Sequence, residues 1–247
     1  MKISLMEYTN NAKELLIFSK KTRIRMSPRS WADVLAMPDE EKDKELKYVF
    51  GTIGSSWEFV SYVFLIQGVT RAFTHQLVRH RVGISFAQQA QRVVDMTDFE
   101  YLATGDCEGN EVYSGIMAHI SEGYHILIED GVKPQDARGV LPTNVLTNIL
   151  MKVNLRTLSG LLNIRLCVKA QGEFQGVARR LREEVLMVHP WADQVLQVHC
   201  VQYGSCIFPS FGACPIKQKG LLPKVDTKAI YDVWLNDRLE VQSLEDK

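Results

Sequence analysis

The stretch HQLVRHRVGISFAQQAQR, residues 75–92, sets Arg79, His80 and Arg81 side by side and then has no charged residue before Arg92. The run WEFVSYVFLIQG, which lies upstream, is rich in aromatic and β-branched residues and predicts a strand largely covered on both faces. The residues between them, VTRAFTHQLV, change to helical spacing. We therefore expect a strand that leads directly into a helix, with cations clustered at the end of that helix.

The predicted helix has suitable residues at both ends, with Thr70 at the N-cap and Gly83 at the stop. Arg71, His75 and Arg79 are spaced four apart, so they would share one face. The chain as a whole has no basic excess, because 29 Lys and Arg balance 29 Asp and Glu. Any anion site must therefore be local, and a nucleic-acid partner is not expected.

The remaining patterns predict an α+β fold that is rich in helix and contains a small sheet. Further helical patterns occupy residues 31–54, 111–131, 133–154 and 173–197. Since no Gly/Ser/Pro linker divides the 247 residues, we expect a single domain over 1–247. Its motif-bearing core lies at about 50–180, and an irregular cysteine-containing segment occupies about 198–247.

The chain shows no membrane or export signal, and its cysteines favour a reducing compartment. No apolar run approaches the ~20 residues that span a bilayer, so we expect a cytoplasmic protein without a membrane partner. The five cysteines are an odd number, which fits reduced thiols better than disulfides. Their spacing matches no compact zinc pattern, so no metal is expected, and Cys167 is interpreted as a packed thiol rather than a nucleophile.

Three further arginines lie in mostly apolar sequence rather than in the mixed-charge sequence that is typical of a protein surface. Arg138, Arg156 and Arg165 suit a ligand that carries phosphates and a carbonyl-bearing ring, because guanidinium groups bind both with fixed geometry. The alternative is that each arginine lies on a solvated helix face or pairs with a carboxylate, such as Asp136, Glu173 or Glu183.

These residues resemble the signature of the flavin-dependent thymidylate synthases, which is Arg-His-Arg, a short polar stretch, and then Ser-x-Arg followed by Tyr. The corresponding residues here are Arg79, His80, Arg81, Ser85, Gln88, Gln89, Ala90, Gln91 and Arg92. Supporting matches keep their order from about residue 55 to 174. They are Ser55 and Glu58 in SSWEF, GVTRAFTHQLV, ARGVLP at 137–142, NLRTL at 154–158, and LLNIR followed by AQGEF.

The resemblance implies a fold with a mostly antiparallel sheet and a homotetramer whose active sites are shared between subunits. It implies FAD as cofactor, and methylenetetrahydrofolate and NADPH as co-substrates for one-carbon transfer to C5 of dUMP. The implied flavin contacts are Arg79, His80, Arg81, Ser55 and Asn154. The implied nucleotide contacts are Gln76, Gln88, Gln89, Ala90, Arg92, Arg138 and Arg165. Among these, Arg92 and Arg138 would neutralise the phosphate, Arg165 would bind a uracil carbonyl, and Arg165 and Arg92 are the predicted catalytic residues.

The chain departs from the family pattern at five positions. Ala90 stands where the signature has a serine, and the stretch before it is one residue longer. The other departures are Val93, Ile53, Phe59 and Gly160. Three alternatives stay open: a hydroxymethyl rather than a methyl product, dCMP rather than dUMP as substrate, and a non-catalytic nucleotide-binding relative.

Overall fold

The computed structural model describes residues 1–24 and 30–219. Four strands form one sheet in the order β1-β2-β4-β3, and the sheet is antiparallel. The strands are β1 (Lys2–Tyr8), β2 (Ser61–Thr70), β3 (Ile84–Gln88) and β4 (Leu146–Asn154). The predicted α+β class and small antiparallel sheet are confirmed.

The described residues also contain ten α-helices. They are α1 (Ala12–Ile24), α2 (Trp31–Leu35), α3 (Asp39–Phe50), α4 (Arg71–Leu77), α5 (Glu111–Glu129), α6 (Pro134–Ala137), α7 (Leu155–Arg165), α8 (Gly172–Val188), α9 (His199–Tyr203) and α10 (Pro215–Gln218). Short 3₁₀ helices lie at Gly54–Phe59, Gly105–Cys107, Arg138–Val140 and Pro190–Gln194. No helix of the described residues is long and apolar enough to cross a membrane.

Contacts divide the chain into two compact units. Unit 1 comprises Met1–Ser4, Phe64–Arg81 and Ser85–Lys152, and unit 2 comprises Leu5–Val63, Val82–Ile84 and the chain from Val153 onward. A single domain over 1–247 stays a prediction. The C-terminal segment contains the short helices α9 and α10 as far as it is described, and residues 220–247 lie outside the described residues.

Each unit buries apolar side chains that its own periodicity predicts. In unit 1 the face of α5 that carries Met117 and Tyr124 packs with Met96, Phe99 and Val145, and Tyr124 accepts a hydrogen bond from the Met96 amide at 3.1 Å. In unit 2 the predicted stripe of α8 is fully buried; it consists of Phe174, Val177, Leu181 and Val185. These stripes recur every three or four residues, as an amphipathic helix requires.

The interpretation of residues 133–154 as one helix was wrong. Only Pro134–Ala137 is helical, and Leu146–Asn154 forms strand β4. Along LTNILMKVN, buried and more exposed residues alternate, which is the period of a strand with one covered face. Pro142 separates the two elements, because a proline has no amide to continue a helix.

Two predicted boundaries also shift. Strand β2 begins at Ser61 rather than Trp57, because residues Gly54–Phe59 form a 3₁₀ helix. Helix α4 begins after Thr70 as predicted, and the Thr70 hydroxyl accepts a hydrogen bond from the Phe73 amide at 3.0 Å. The helix ends at Leu77, however, so Arg79 follows the helix instead of sharing a face with Arg71.

Candidate functional site

The predicted Arg-His-Arg cluster lies in the turn that follows α4. The Arg79 amide donates to the Gln76 carbonyl at 3.4 Å, and the His80 amide donates to the Leu77 carbonyl at 3.1 Å, so the chain leaves the helix in tight turns. Arg79 and Arg81 are both exposed. The cluster therefore presents two guanidinium groups to whatever binds at this end of α4.

Gln88, at the end of β3, has its side-chain amide held in one orientation. The Gln88 Nε2 atom donates to the Thr74 hydroxyl at 3.0 Å, and it lies 3.5 Å from the Thr147 hydroxyl. Both donors of the amide thus point toward α4 and β4. Because the amide nitrogen is engaged, Gln88 has its carbonyl oxygen left to accept a hydrogen bond from a ligand.

Gln89, which the resemblance places at the nucleotide, has its backbone amide, its backbone carbonyl and its side-chain oxygen engaged by other residues of unit 1. Its amide donates to the Asn148 carbonyl at 3.0 Å, and its side-chain oxygen accepts from Asn148 Nδ2 at 3.2 Å. Its own carbonyl accepts from Arg71 Nη2 at 2.8 Å. These bonds secure the backbone just ahead of Ala90 and Arg92, both of which are exposed.

The five arginines of unit 1 have no carboxylate partner among the described residues. None of the salt bridges among residues 1–24 and 30–219 includes Arg71, Arg79, Arg81, Arg92 or Arg138. Arg138 instead donates through Nε to the Gln135 carbonyl at 3.0 Å, rather than pairing with Asp136. The alternative interpretation of Arg138 as an ion-pair residue is therefore not what the structure shows.

Asn154 and Arg156, at the start of α7 in unit 2, are occupied by contacts within the chain. The Asn154 side chain is the N-cap of α7 and accepts from the Thr157 amide at 2.8 Å, and the Asn154 amide donates to the Gly83 carbonyl at 2.9 Å. Arg156 forms a salt bridge with Glu58, with Nη1 and Oε1 2.6 Å apart. For Arg156, pairing with a carboxylate is thus the correct interpretation, though with Glu58 rather than with the predicted partners.

Arg165 is the last residue of α7 and lies over an aromatic ring. Its guanidinium carbon is 4.2 Å from the centre of the Phe174 ring, which is itself fully buried. Stacking of this kind fixes the plane of the guanidinium group and holds it in a partly buried position. Ser55, the other implied flavin contact of unit 2, lies in the 3₁₀ helix Gly54–Phe59 and is partly buried.

Unit 2 also contains a cavity of about 610 Å³, which sequence reasoning did not predict. Phe50 and Trp57 give it aromatic walls, and Gly160, Gln202 and Tyr203 contribute to its lining. The Trp57 indole nitrogen is buried and has no hydrogen-bond partner among the residues that the structure describes. A Cβ built at Gly160 would meet no atom within 4 Å, so the glycine leaves this part of the cavity open. The signal that was missed is the aromatic content of 50–57 and of the C-terminal segment.

Four of the five cysteines line a second, much smaller cavity of about 20 Å³, also in unit 2. They are Cys167, Cys200, Cys206 and Cys214. Burial, reinforced by the neighbouring thiols, raises the pKa of Cys200 to about 12, and burial also raises the pKa of Cys167. In the described part of the chain, no three His, Cys, Asp or Glu side chains have the geometry of a metal site.

Together, the small antiparallel sheet and the arginines of unit 1 that form no salt bridge with any described carboxylate define an α+β protein with locally concentrated positive charge. Comparison with known proteins narrows this class. Residues 4–191 match the family model described as thymidylate synthase complementing protein. The chain belongs to the flavin-dependent thymidylate synthase family.

Several individual proteins are similar to the chain. The flavin-dependent thymidylate synthase of Sulfurisphaera tokodaii is 33% identical over 208 residues, which are 81% of this chain and 79% of that protein. The flavin-dependent thymidylate synthase of Clostridium tetani is 29% identical over 231 residues, 83% of this chain and 90% of that protein.

Solved structures share the fold. Helicobacter pylori ThyX, complexed with FAD and dUMP, has a TM-score of 0.64 at 21% identity and covers 80% of this chain and 100% of its own. The UMP/dUMP methylase PolB of Streptomyces cacaoi, bound with 5-Br dUMP, has a TM-score of 0.65 at 19% identity and covers 78% of this chain and 93% of its own. At these identities the likeness concerns the fold alone.

Proposed function

We propose that the protein is an enzyme that transfers a one-carbon unit from methylenetetrahydrofolate to C5 of a pyrimidine deoxynucleotide monophosphate. FAD is the cofactor and NADPH the reductant. The observation that carries the proposal is the group of arginines in unit 1 that have no carboxylate partner among the described residues. Membership of the family and the relatives' names supply the reaction.

In this proposal the nucleotide is bound by residues of three kinds. Arg92 and Arg138 neutralise the phosphate, and both are exposed and outside any salt bridge of the described residues. Gln76 and Gln88 hydrogen-bond the nucleotide, Gln88 through the side-chain oxygen that its threonine contacts leave available. Arg165 donates to a uracil carbonyl and stabilises negative charge that develops on the ring.

Gln89 and Ala90 contribute differently. Gln89 keeps the backbone of this segment in place through Asn148 and Arg71, so its contribution to substrate binding is positional. Ala90 is exposed and offers a methyl group where the family signature has a hydroxyl. We propose that both line the nucleotide without a side-chain hydrogen bond to it.

The chemistry of the described residues fits FAD. The exposed guanidinium groups of Arg79 and Arg81 suit its pyrophosphate, and we propose them, with His80, Ser55 and Asn154, as flavin contacts. The cavity of unit 2, with Phe50 and Trp57 in its walls, is suited to a planar aromatic ring. When bound, FAD supplies the redox chemistry of the reaction, while the residues of the chain bind and orient it.

The assembly and the location of the protein follow from the family and stay predictions. We propose a homotetramer in which different subunits contribute residues to one active site. We also propose a location in the cytoplasm. Size-exclusion chromatography with light scattering tests the tetramer, and a monomer that retains full turnover would contradict it.

The substrate base is uracil rather than cytosine in this proposal. Arg165 has only donors, and a donor suits the uracil carbonyl better than the amino group of cytosine. Equilibrium binding of dUMP and dCMP to the FAD-loaded protein decides between them, and tighter binding of dCMP would reverse the assignment.

A non-catalytic relative is the second candidate function. It is favoured by Ile53 and Phe59, which are 69% and 61% exposed and replace polar residues of the family pattern, and by Gly160, which offers no side chain to a flavin. Purified protein that is colourless and takes up no added FAD would favour this candidate.

The reaction itself is tested by incubating the FAD-loaded protein with dUMP, methylenetetrahydrofolate and NADPH, followed by mass analysis of the nucleotide. A methyl mass increase identifies thymidylate synthesis. A hydroxymethyl increase identifies the variant product, in which water captures the transferred methylene before reduction. Unmodified dUMP from flavin-loaded protein contradicts both. Arg165→Gln is expected to abolish turnover, whereas Arg180→Gln, which changes an exposed arginine of α8, is expected to retain it.

A further inference from the structure

Arg71 connects three parts of unit 1 but is absent from the predicted site. It is the first residue of α4, and its amide donates to the carbonyl of Val145, immediately before β4, at 3.1 Å. Its Nη2 atom donates to the Gln89 carbonyl, just after β3, at 2.8 Å. Its own carbonyl accepts from the Thr74 hydroxyl at 3.0 Å, and that hydroxyl also accepts from Gln88. A displacement of Arg71 would therefore move the segment that ends at Arg92.

The guanidinium group of Arg71 lacks a counter-charge. Its Nε atom is buried and has no hydrogen-bond partner among residues 1–24 and 30–219, and no salt bridge of those residues includes it. Burial lowers the pKa of Arg71, and the charge of nearby Arg138 lowers it further. Two repelling cations are unfavourable in isolation, and an anion bound between them would offset the repulsion.

We propose that Arg71 and Arg138 together form the seat of the nucleotide phosphate, with the Arg71–Gln89 hydrogen bond holding residues 88–92 against it. The identity of the nucleotide rests on the proposed function, whereas the anion seat rests on the two arginines. A phosphate monoester carries about two negative charges at neutral pH, and Arg71 adds a third guanidinium group to those of Arg92 and Arg138. The planar guanidinium group of Arg71 donates to the Gln89 carbonyl through Nη2, and its other terminal nitrogen, Nη1, would donate to the phosphate.

The test compares dUMP with deoxyuridine, which lacks the phosphate, in binding to FAD-loaded protein. Arg71→Gln is expected to weaken dUMP binding about tenfold more than it weakens deoxyuridine binding, because only dUMP loses a charge-assisted hydrogen bond to its phosphate. Arg71→Lys keeps the positive charge but not the guanidinium geometry, and it is expected to lose less affinity for dUMP than Arg71→Gln does. Arg138→Gln, at an exposed position, should reproduce the loss. Arg180→Gln is the matched control and should bind both ligands as the unaltered protein does.

Equal weakening of dUMP and deoxyuridine by Arg71→Gln would overturn the phosphate seat, because Arg71 would then only shape the segment. Unchanged binding of both would overturn it as well. Should Arg71→Gln not fold, as judged by circular dichroism, the same comparison on Arg71→Lys and Arg138→Gln decides.

Measuring the binding of inorganic phosphate as well as dUMP distinguishes a failure of the phosphate seat from a failure of the proposed function. Arg71-dependent binding of phosphate without binding of dUMP would refute the proposed function and leave the seat standing. Binding of dUMP that Arg71→Gln does not alter would refute the seat alone.

Discussion

Replacing Gly83 with alanine tests how tightly the turn after the Arg-His-Arg cluster is held against α7. Gly83 has φ +70°, and its carbonyl accepts a hydrogen bond from the Asn154 amide at 2.9 Å. A Cβ at this position would lie 2.2 Å from Asn154 Nδ2 and 2.4 Å from Thr157 Oγ1. Both separations are too short for real contacts, so the cap of α7 has to move.

The expected loss has two parts. A left-handed backbone costs a residue with a Cβ about 1–2 kcal/mol. Displacing the Asn154 side chain from the Thr157 amide removes an N-cap hydrogen bond, which costs about 1 kcal/mol. We expect Gly83→Ala to lower the free energy of unfolding by about 2–3 kcal/mol in total. Gly131→Ala is the matched control, since Gly131 has φ +83° but open space around it, and should lose only the backbone part.

Denaturant unfolding at one protein concentration gives the free energy of unfolding of both variants. The slope of that free energy against denaturant concentration is compared between them, because a changed slope would indicate a changed unfolded state. A loss in Gly83→Ala no larger than that in Gly131→Ala would refute the close approach of Gly83 to α7. The same comparison in an Asn154→Ala background should shrink the difference between the two glycine variants, because the displaced cap is already missing.

Three other perturbations have definite expected outcomes. Gly160→Ala should raise the free energy of unfolding by up to about 1 kcal/mol, because the position is inside α7 and has open space for a Cβ. A lower free energy of unfolding in the variant would show that the cavity is tighter than described. Cys200 should react slowly with iodoacetamide at pH 8 in the folded protein and at an ordinary rate after unfolding, because burial raises its pKa to about 12. Mass analysis of the peptide that contains Cys200 measures the rate of labelling. Fast labelling of the native protein would contradict the burial. Burial lowers the pKa of His189 below its ordinary 6.5, so the unfolded state binds more protons and stability should fall as pH drops below 6.5. In unfolding experiments His189→Phe should reduce that slope, and an unaltered slope would assign it to other groups.

Local signals account for the parts of the fold that the sequence predicted correctly. The Thr70 cap, the left-handed Gly131 after α5 and the buried stripe of α8 each depend on residues within one or two turns of each other. Strands β1, β3 and β4 were missed because their partners are distant in sequence: β1 and β4 both pair with β2, and β3 pairs with β4. Helix α4 was predicted too long because VRHRVG continues the helical spacing, although the chain turns out of the helix after Leu77.

The site residues also divide into those that the local sequence could predict and those that depend on distant contacts. The Arg-His-Arg cluster and Arg138 could be found from the sequence, because arginines in apolar or tightly clustered settings are unusual. The contacts of Gln89 with Arg71 and Asn148 could not, since they join residues 18 and 59 positions apart. The cavity beside Trp57 likewise combines residues from before and after α7. Such contacts depend on the tertiary arrangement, which local periodicity does not encode.

The departures from the family pattern all occur where the fold does not depend on them. Val93, Ile53 and Phe59 are 71%, 69% and 61% exposed, and Ala90 and Gly160 are exposed as well. A side chain at such a position contributes little to the free energy of unfolding, so changing it leaves the scaffold intact. The same change alters which hydrogen bonds and how much space a ligand meets, and an apolar side chain there gains stability only when something covers it. A difference in chemistry from the family, if the product assay finds one, is therefore first to be sought at these five positions, where substitution costs the fold little.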